Sequence, residues 1–139
     1  MQLDIKLENN WKFKSLLNLE KRTTFTPQEN PPARLVKRCE ELCQIPLIEY
    51  TIEDLRLMIS QEFGLSYLIP LAVEKLQTDL FAEGDLYPGD LLASVLKIDP
   101  SFWHKNQELW VEINELIKTR KVEVIAEGIS TEIFESSLK

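Results

Sequence analysis

Glu83, Asp85 and Asp90, with Tyr87 among them, are the densest group of potential acids, bases or metal ligands in this 139-residue sequence. A calcium loop needs oxygen ligands at alternate positions through about twelve residues ending in Glu. The run Glu83-Gly-Asp-Leu-Tyr-Pro-Gly-Asp90 lacks that order. Whether two of these carboxylates form a catalytic pair depends on their separation and burial. The plainer role is structural, with Asp85 and Asp90 bonding nearby backbone N–H groups to hold a turn, as short carboxylates do. Cys39 and Cys43 stand four apart and so share one face of a helix. No neighbouring Cys or His completes a four-ligand site, and His104 is the single histidine, placed as a surface or helix-end residue. Two reduced, half-buried thiols are expected instead. No Ser or Cys sits in a nucleophile motif, and Ser136-Ser137 fall in a tail expected to fray. Gly64, Gly84, Gly89 and Gly128 make no phosphate-loop spacing. The reading is of no catalytic residue, no metal ligand and no cofactor.

The elements that carry these residues are mostly helical. Leu3, Ile5 and Leu7 alternate with polar residues as in a short strand, and Asn9 or Asn10 can cap a helix through Trp11, Phe13, Leu16 and Leu17 to about Lys21. Pro27, Pro31 and Pro32 make 23–32 a loop. Leu35, Val36, Cys39, Leu42 and Cys43 fall at helical spacing, and that helix ends at Gln44-Ile-Pro46. Thr51 is the N-cap of the next, with Asp54 in a variant capping box and Tyr50 and Leu55 as a hydrophobic staple. Gly64 suits its left-handed stop. A further helix carries Leu68, Ile69, Ala72, Val73 and Leu76; if it starts at Leu65, Pro70 should kink it. Residues 82–90 are a turn, with Pro88 at the first position of a helix bearing Leu91, Leu92, Val95 and Leu96. Asp99-Pro100 starts a long helix to about Arg120, with a break near 104–106. Trp11, Trp103 and Trp110 are expected in the core, and Arg56 is expected to pair with a carboxylate at a helix contact. Val122 to Ile125 is either a strand pairing with Leu3 to Leu7 or an extension of the helix. The fold class is mainly α: a single domain over 1–139 with five to six helices, at most two short peripheral strands, and less defined flanks at 1–10 and 122–139.

Bulk properties narrow the class further. The chain is one domain long, and a 44% hydrophobic fraction excludes a disordered tail. No apolar stretch reaches the ~20 residues of a membrane span, and Met-Gln-Leu-Asp-Ile-Lys lacks a signal-peptide pattern, so a cytoplasmic, monomeric protein without membrane contact is expected. The net charge is −7, but residues 1–50 hold eight Lys/Arg and seven Asp/Glu (net +1), and residues 51–139 hold eight and sixteen (net −8). Such a surface repels nucleic acid and steers a basic partner. Glu108, Glu112 and Glu115 form one ridge on the long helix.

The blocks Thr51-x-Glu53-Asp54-Leu55-Arg56, Gly64-Leu65-x-x-Leu68-x-Pro70-Leu71-Ala72 and Glu83-Gly-Asp-Leu-Tyr-Pro-Gly-Asp-Leu-Leu92, in this order, resemble immunity proteins of bacterial contact-dependent growth inhibition systems. The likeness covers roughly residues 15 to 118, with one departure at Ser60, where such proteins often have Gly; Ser is the better helix former. The resemblance implies a cytoplasmic antidote that is not an enzyme and that binds one cognate toxin domain and blocks its active site. Partners differ between systems, so no contact residue carries over by motif. A basic nuclease toxin matches the acidic character, and the expected toxin contacts are Asp79, Glu83, Asp85, Glu108, Glu112 and Glu115. The rival readings are a helical adaptor that binds another protein, and an enzyme of unrecognised type working through Glu83, Asp85 and His104.

Overall fold

Capping chemistry sets the main helix boundaries in the computed structural model, which describes residues 10–21 and 33–138. Helix α3 (Ile52–Ser60) begins with a complete capping box: the Asp54 N–H donates to Thr51 Oγ1 at 3.1 Å, and the Thr51 N–H donates to Asp54 Oδ2 at 2.9 Å. Two otherwise orphaned donors are thereby satisfied, and the staple pair Tyr50 and Leu55 is buried. The left-handed residue that closes α3 is Glu62 (φ +58°), not Gly64. The Glu62 N–H donates to the Ile59 carbonyl at 2.9 Å and the Phe63 N–H to the Met58 carbonyl at 3.0 Å, the paired bonds of a Schellman stop. Gly64, also left-handed, instead caps the start of α4 (Leu65–Thr78). Pro70 is the sixth residue of α4 and removes one helical hydrogen bond, yet the helix continues through it to Thr78 with the ring buried.

The remaining α-helices are α1 (Leu16–Leu19), α2 (Ala33–Cys43), α5 (Asp90–Leu96), α6 (Pro100–Lys105), α7 (Gln107–Thr119), α8 (Lys121–Ala126) and α9 (Glu132–Ser136), with 3₁₀ turns at 11–13 and 47–49. Helix α3 packs on α5, α4 and α2; α4 also packs on α7 and α5. Their shared core is aliphatic, with Leu55, Met58, Ile59, Leu68, Ile69, Leu76, Leu91, Leu92 and Ile113 essentially inaccessible. Burial of this kind contributes about 1.5–3 kcal/mol per large side chain. Cys39 and Cys43 form no disulfide and are buried on the inner face of α2, more enclosed than the half-burial expected, and burial raises the Cys39 thiol above its ordinary range.

The class is mainly α, but the described residues form nine α-helices where five or six were expected. The long helix is broken at Asn106 (φ −140°, ψ 55°), within the expected 104–106 window, and ends at Arg120 (φ −134°, ψ 33°), beyond which α8 and α9 add two further helices. Asn106 makes its break by donating Nδ2–H to the Phe102 carbonyl at 2.9 Å. Helix α5 starts at Asp90, two residues after Pro88, with Gly89 as its cap.

Val122 to Ile125 belongs to α8 and is not a strand. Among the described residues there is no strand for it to pair with, the Val124 N–H donates to the Arg120 carbonyl at 3.0 Å, and Val124 fills the core. The Leu3 to Leu7 strand and the 23–32 loop lie outside the described residues.

The tail is docked rather than frayed. Phe134 of α9 is fully buried, stacked on Trp110 at 5.0 Å and edge-on to Trp103 at 5.3 Å, and its carbonyl accepts the Trp110 Nε1–H at 2.9 Å. Ser137 is buried beside it. Trp11 and Trp103 are core residues, and Trp110 is half-buried.

Candidate functional site

The loop between α4 and α5 is held from both sides by carboxylates. Asp90, 1% exposed, opens α5 and points back into the loop: Oδ1 accepts the Gly84 N–H at 2.7 Å, and Oδ2 accepts the N–H groups of Leu86 at 3.0 Å and Tyr87 at 3.4 Å. Glu53, in the first turn of α3, accepts the Asp85 N–H at 2.8 Å through Oε1. Arg56, one turn further along α3, donates Nε–H to Glu53 Oε1 at 2.7 Å and a second N–H to Oε2, and its Nε lies 3.9 Å from Asp90 Oδ2. The guanidinium hydrogen bonds hold the Glu53 carboxyl below its usual range. Gly84 is needed at its position because an added Cβ would meet Glu53 Oε1 at 2.6 Å and the Glu53 backbone at 3.1 Å. A second pair, Arg38 to Asp54 at 2.8 Å, ties α2 to the head of α3.

The expected role of Asp90 in holding the turn is what the structure has. The Asp85 carboxylate is exposed and acts on Arg56 through its charge alone, while its backbone N–H is what bonds into the network. Arg56 pairs with a carboxylate as expected: Glu53 of its own helix, with Asp90 of α5 as a second, longer partner. Carboxylates engaged in this way position backbone. They leave Leu86 (61% exposed) and Tyr87 (40%) at the loop tip beside a groove of about 230 Å³ lined by Arg56, Ser60, Glu62, Ser94 and Lys97. Among the described residues, no three His, Cys, Asp or Glu side chains converge as metal ligands, and no helix is long and apolar enough to cross a membrane.

The six acidic residues singled out from the sequence fall into two groups with separate anchors. Asp79, Glu83 and Asp85 lie on the α4–α5 connection and are exposed; Asp79 Oδ1 accepts the Phe81 N–H at 3.1 Å. Glu108, Glu112 and Glu115 lie on α7. Glu112 is half-buried and accepts Gln77 Nε2–H of α4 at 2.6 Å, and Glu115 is exposed 3.9 Å from Lys118. Glu108 is also half-buried, and its Oε2 is enclosed with no hydrogen-bond partner among the described residues. The ridge is therefore less outward-facing than its spacing suggests. His104 is exposed in the last turn of α6.

A family model described as CDI immunity proteins matches residues 20–113, which include the whole loop and both helices that hold it. The chain belongs to this family. No curated protein and no solved structure matches it. Membership makes the chain a toxin-neutralising immunity protein of contact-dependent growth inhibition. Within the immunity protein the three motif blocks have legible physical duties: Thr51 and Asp54 cap α3, Glu53 and Arg56 grip the loop, Gly64 turns into α4, and Gly84 and Asp90 set the loop's shape. The matched region ends inside α7, so α8 and α9 lie beyond it. Sequence reading missed the large apolar side chains that these two helices leave exposed, although the run of β-branched residues at 122–125 was a visible signal.

Proposed function

We propose that this immunity protein acts by affinity and not by turnover, binding one cognate toxin domain and covering its active site or substrate-binding surface. The observation that carries the reading is family membership over a region in which the Asp90 and Glu53 carboxylates hold the protein's own backbone. A basic nuclease is the toxin class that an acidic partner suits, since a nucleic-acid cleft needs positive charge and the later part of the chain carries net −8. Asp79, Glu83, Asp85 and Glu115, all exposed, supply the steering charge, with Glu108 and Glu112 contributing from half-buried positions. The protein works as a monomer in the cytoplasm of the producing cell, without a cofactor and without touching nucleic acid or membrane.

Useful protection needs a complex of about nanomolar strength, near −12 kcal/mol, usually across an interface of roughly 1,600 Å². The test is calorimetry with the toxic C-terminal domain encoded by the neighbouring upstream gene, with toxin activity read in parallel. Nanomolar binding with loss of activity is expected, weakening as salt rises. Reversing the charge of all six acidic residues should weaken binding and flatten the salt dependence. If neither changes, the electrostatic assignment is wrong; if the wild-type chain does not bind, the immunity reading is.

A further inference from the structure

Helix α8, Lys121-Val-Glu-Val-Ile-Ala126, is built against its own local preferences. Three of its six residues are β-branched, which lowers helix propensity, and six residues are far too few for independent helical stability. Val124 accounts for itself by being fully buried. Val122 and Ile125, one turn apart on the same face, are 81% and 62% exposed, and Ile133 of α9 is 49% exposed. A solitary exposed aliphatic side chain is ordinary; two on one turn of a short helix, each a weak helix former, gain nothing for the free monomer. The pair of helices carrying them is nevertheless firmly placed. Lys121 pairs with Glu135 and donates to Thr131 Oγ1 at 3.0 Å, Arg120 pairs with Glu123, and Phe134 is locked between Trp103 and Trp110.

Charge around this surface is uneven. Glu123 and Glu135 are neutralised within the pair of helices, while Glu127 and Glu132, both exposed, have no ion-pair partner among the described residues. Exposed aliphatic side chains with exposed carboxylates next to them in sequence, Glu127 two residues after Ile125 and Glu132 beside Ile133, have the composition of a protein interface, in which apolar anchors are surrounded by a polar rim. Its complement is an apolar patch bordered by Lys or Arg. The surface also lies wholly beyond the region that the family model matches, which separates it from the motif residues that build the shared scaffold.

We infer that Val122 and Ile125 of α8, with Ile133 of α9 and the exposed carboxylates Glu127 and Glu132, form a docking surface for a basic, apolar-patched face of the cognate toxin domain. The inference rests on the immunity reading and deepens it, because it places the partner-specific anchors on the two terminal helices.

The experiment uses the full-length chain with Val122→Ser and Ile125→Ser combined, beside Glu127→Lys with Glu132→Lys, and the same upstream-encoded toxin domain as titrant. Circular dichroism melts check that each variant is folded; both alter exposed positions, so little change is expected. The Ser pair should weaken toxin binding by about tenfold or more, mainly through faster dissociation, and the Lys pair should reduce the association rate. A wild-type complex whose affinity both pairs leave unchanged overturns this surface and leaves the immunity reading standing. No complex with wild-type protein overturns both. Sedimentation showing a wild-type dimer that the Ser pair dissociates assigns the surface to a second copy of the chain and also overturns the proposal.

Discussion

Asp90 reaches back from the first residue of α5 to take the Gly84 N–H at 2.7 Å, and the same carboxylate faces Arg56 at 3.9 Å. One buried side chain thus fixes the loop before α5 to the helix on the other side of it. Replacing Asp90 by Ala leaves three backbone N–H groups without their acceptor and Arg56 facing an uncharged neighbour. A loss of about 2–4 kcal/mol is expected in urea unfolding. Asp85→Ala, which removes an exposed carboxylate from the same loop, should stay within about 0.5 kcal/mol.

Glu53 gives a pH dependence whose sign is determined. Its folded carboxyl is held below the ordinary carboxylate range, chiefly by the Arg56 hydrogen bonds. Its contribution to stability is therefore fully present above the unfolded value, about 4.3, and is lost as pH falls through the lower folded value. Denaturation midpoints measured from neutral pH down to about pH 3 should decline less steeply for Glu53→Gln than for the wild-type chain. Equal slopes would show that the pairing with Arg56 contributes nothing to folding.

Glu62 occupies a left-handed conformation that an L side chain adopts at a cost of about 1–2 kcal/mol. Glu62→Gly removes that cost and adds some chain entropy to the unfolded state. The expected net effect is a gain of about 0.5–1 kcal/mol, seen as a higher thermal midpoint. A loss of stability would mean that the side chain contributes more through its position in the Arg56 to Lys97 groove than the backbone loses.

Phe134 is the anchor of the C-terminal end. Phe134→Ala removes a fully buried ring from between Trp103 and Trp110, with an expected cost of about 3–5 kcal/mol. The tryptophan emission of the folded variant should shift as both rings lose their neighbour. A tail that was merely frayed would give neither result.

These residues also show why parts of the molecule were readable from sequence and others were not. The Thr51 and Asp54 box was legible because every group in it lies within four consecutive residues. Asp90 was legible for the same reason, its acceptors' partners being only three to six residues away. Glu53 belongs to the same loop network but reaches 32 residues along the chain to Asp85, and spacing carries no record of that. The left-handed duty went to Glu62 because the Schellman bonds require it one residue beyond Gln61, whereas composition pointed to the nearest glycine. Helix α8 was ambiguous because Val-Glu-Val-Ile satisfies both periods in so short a run. Helix α9 was missed because its reason for being ordered, two tryptophans on α6 and α7, lies more than twenty residues upstream. Of the six acidic residues, Asp79, Glu83, Asp85 and Glu115 are exposed, while Glu112 is drawn inward by its bond to Gln77 and Glu108 is half-buried, neither of which a helical wheel registers.

Leu16, the buried residue of α1, rests against Gly64, where an added Cβ would come within 2.7 Å of both its methyl groups. That surface belongs to the link between α3 and α4, where Gly64 caps the start of α4. Helix α1 therefore settles only against a segment that lies far beyond it in the chain. The amides of 16–19 should therefore exchange with solvent through local openings that leave α3 and α4 intact.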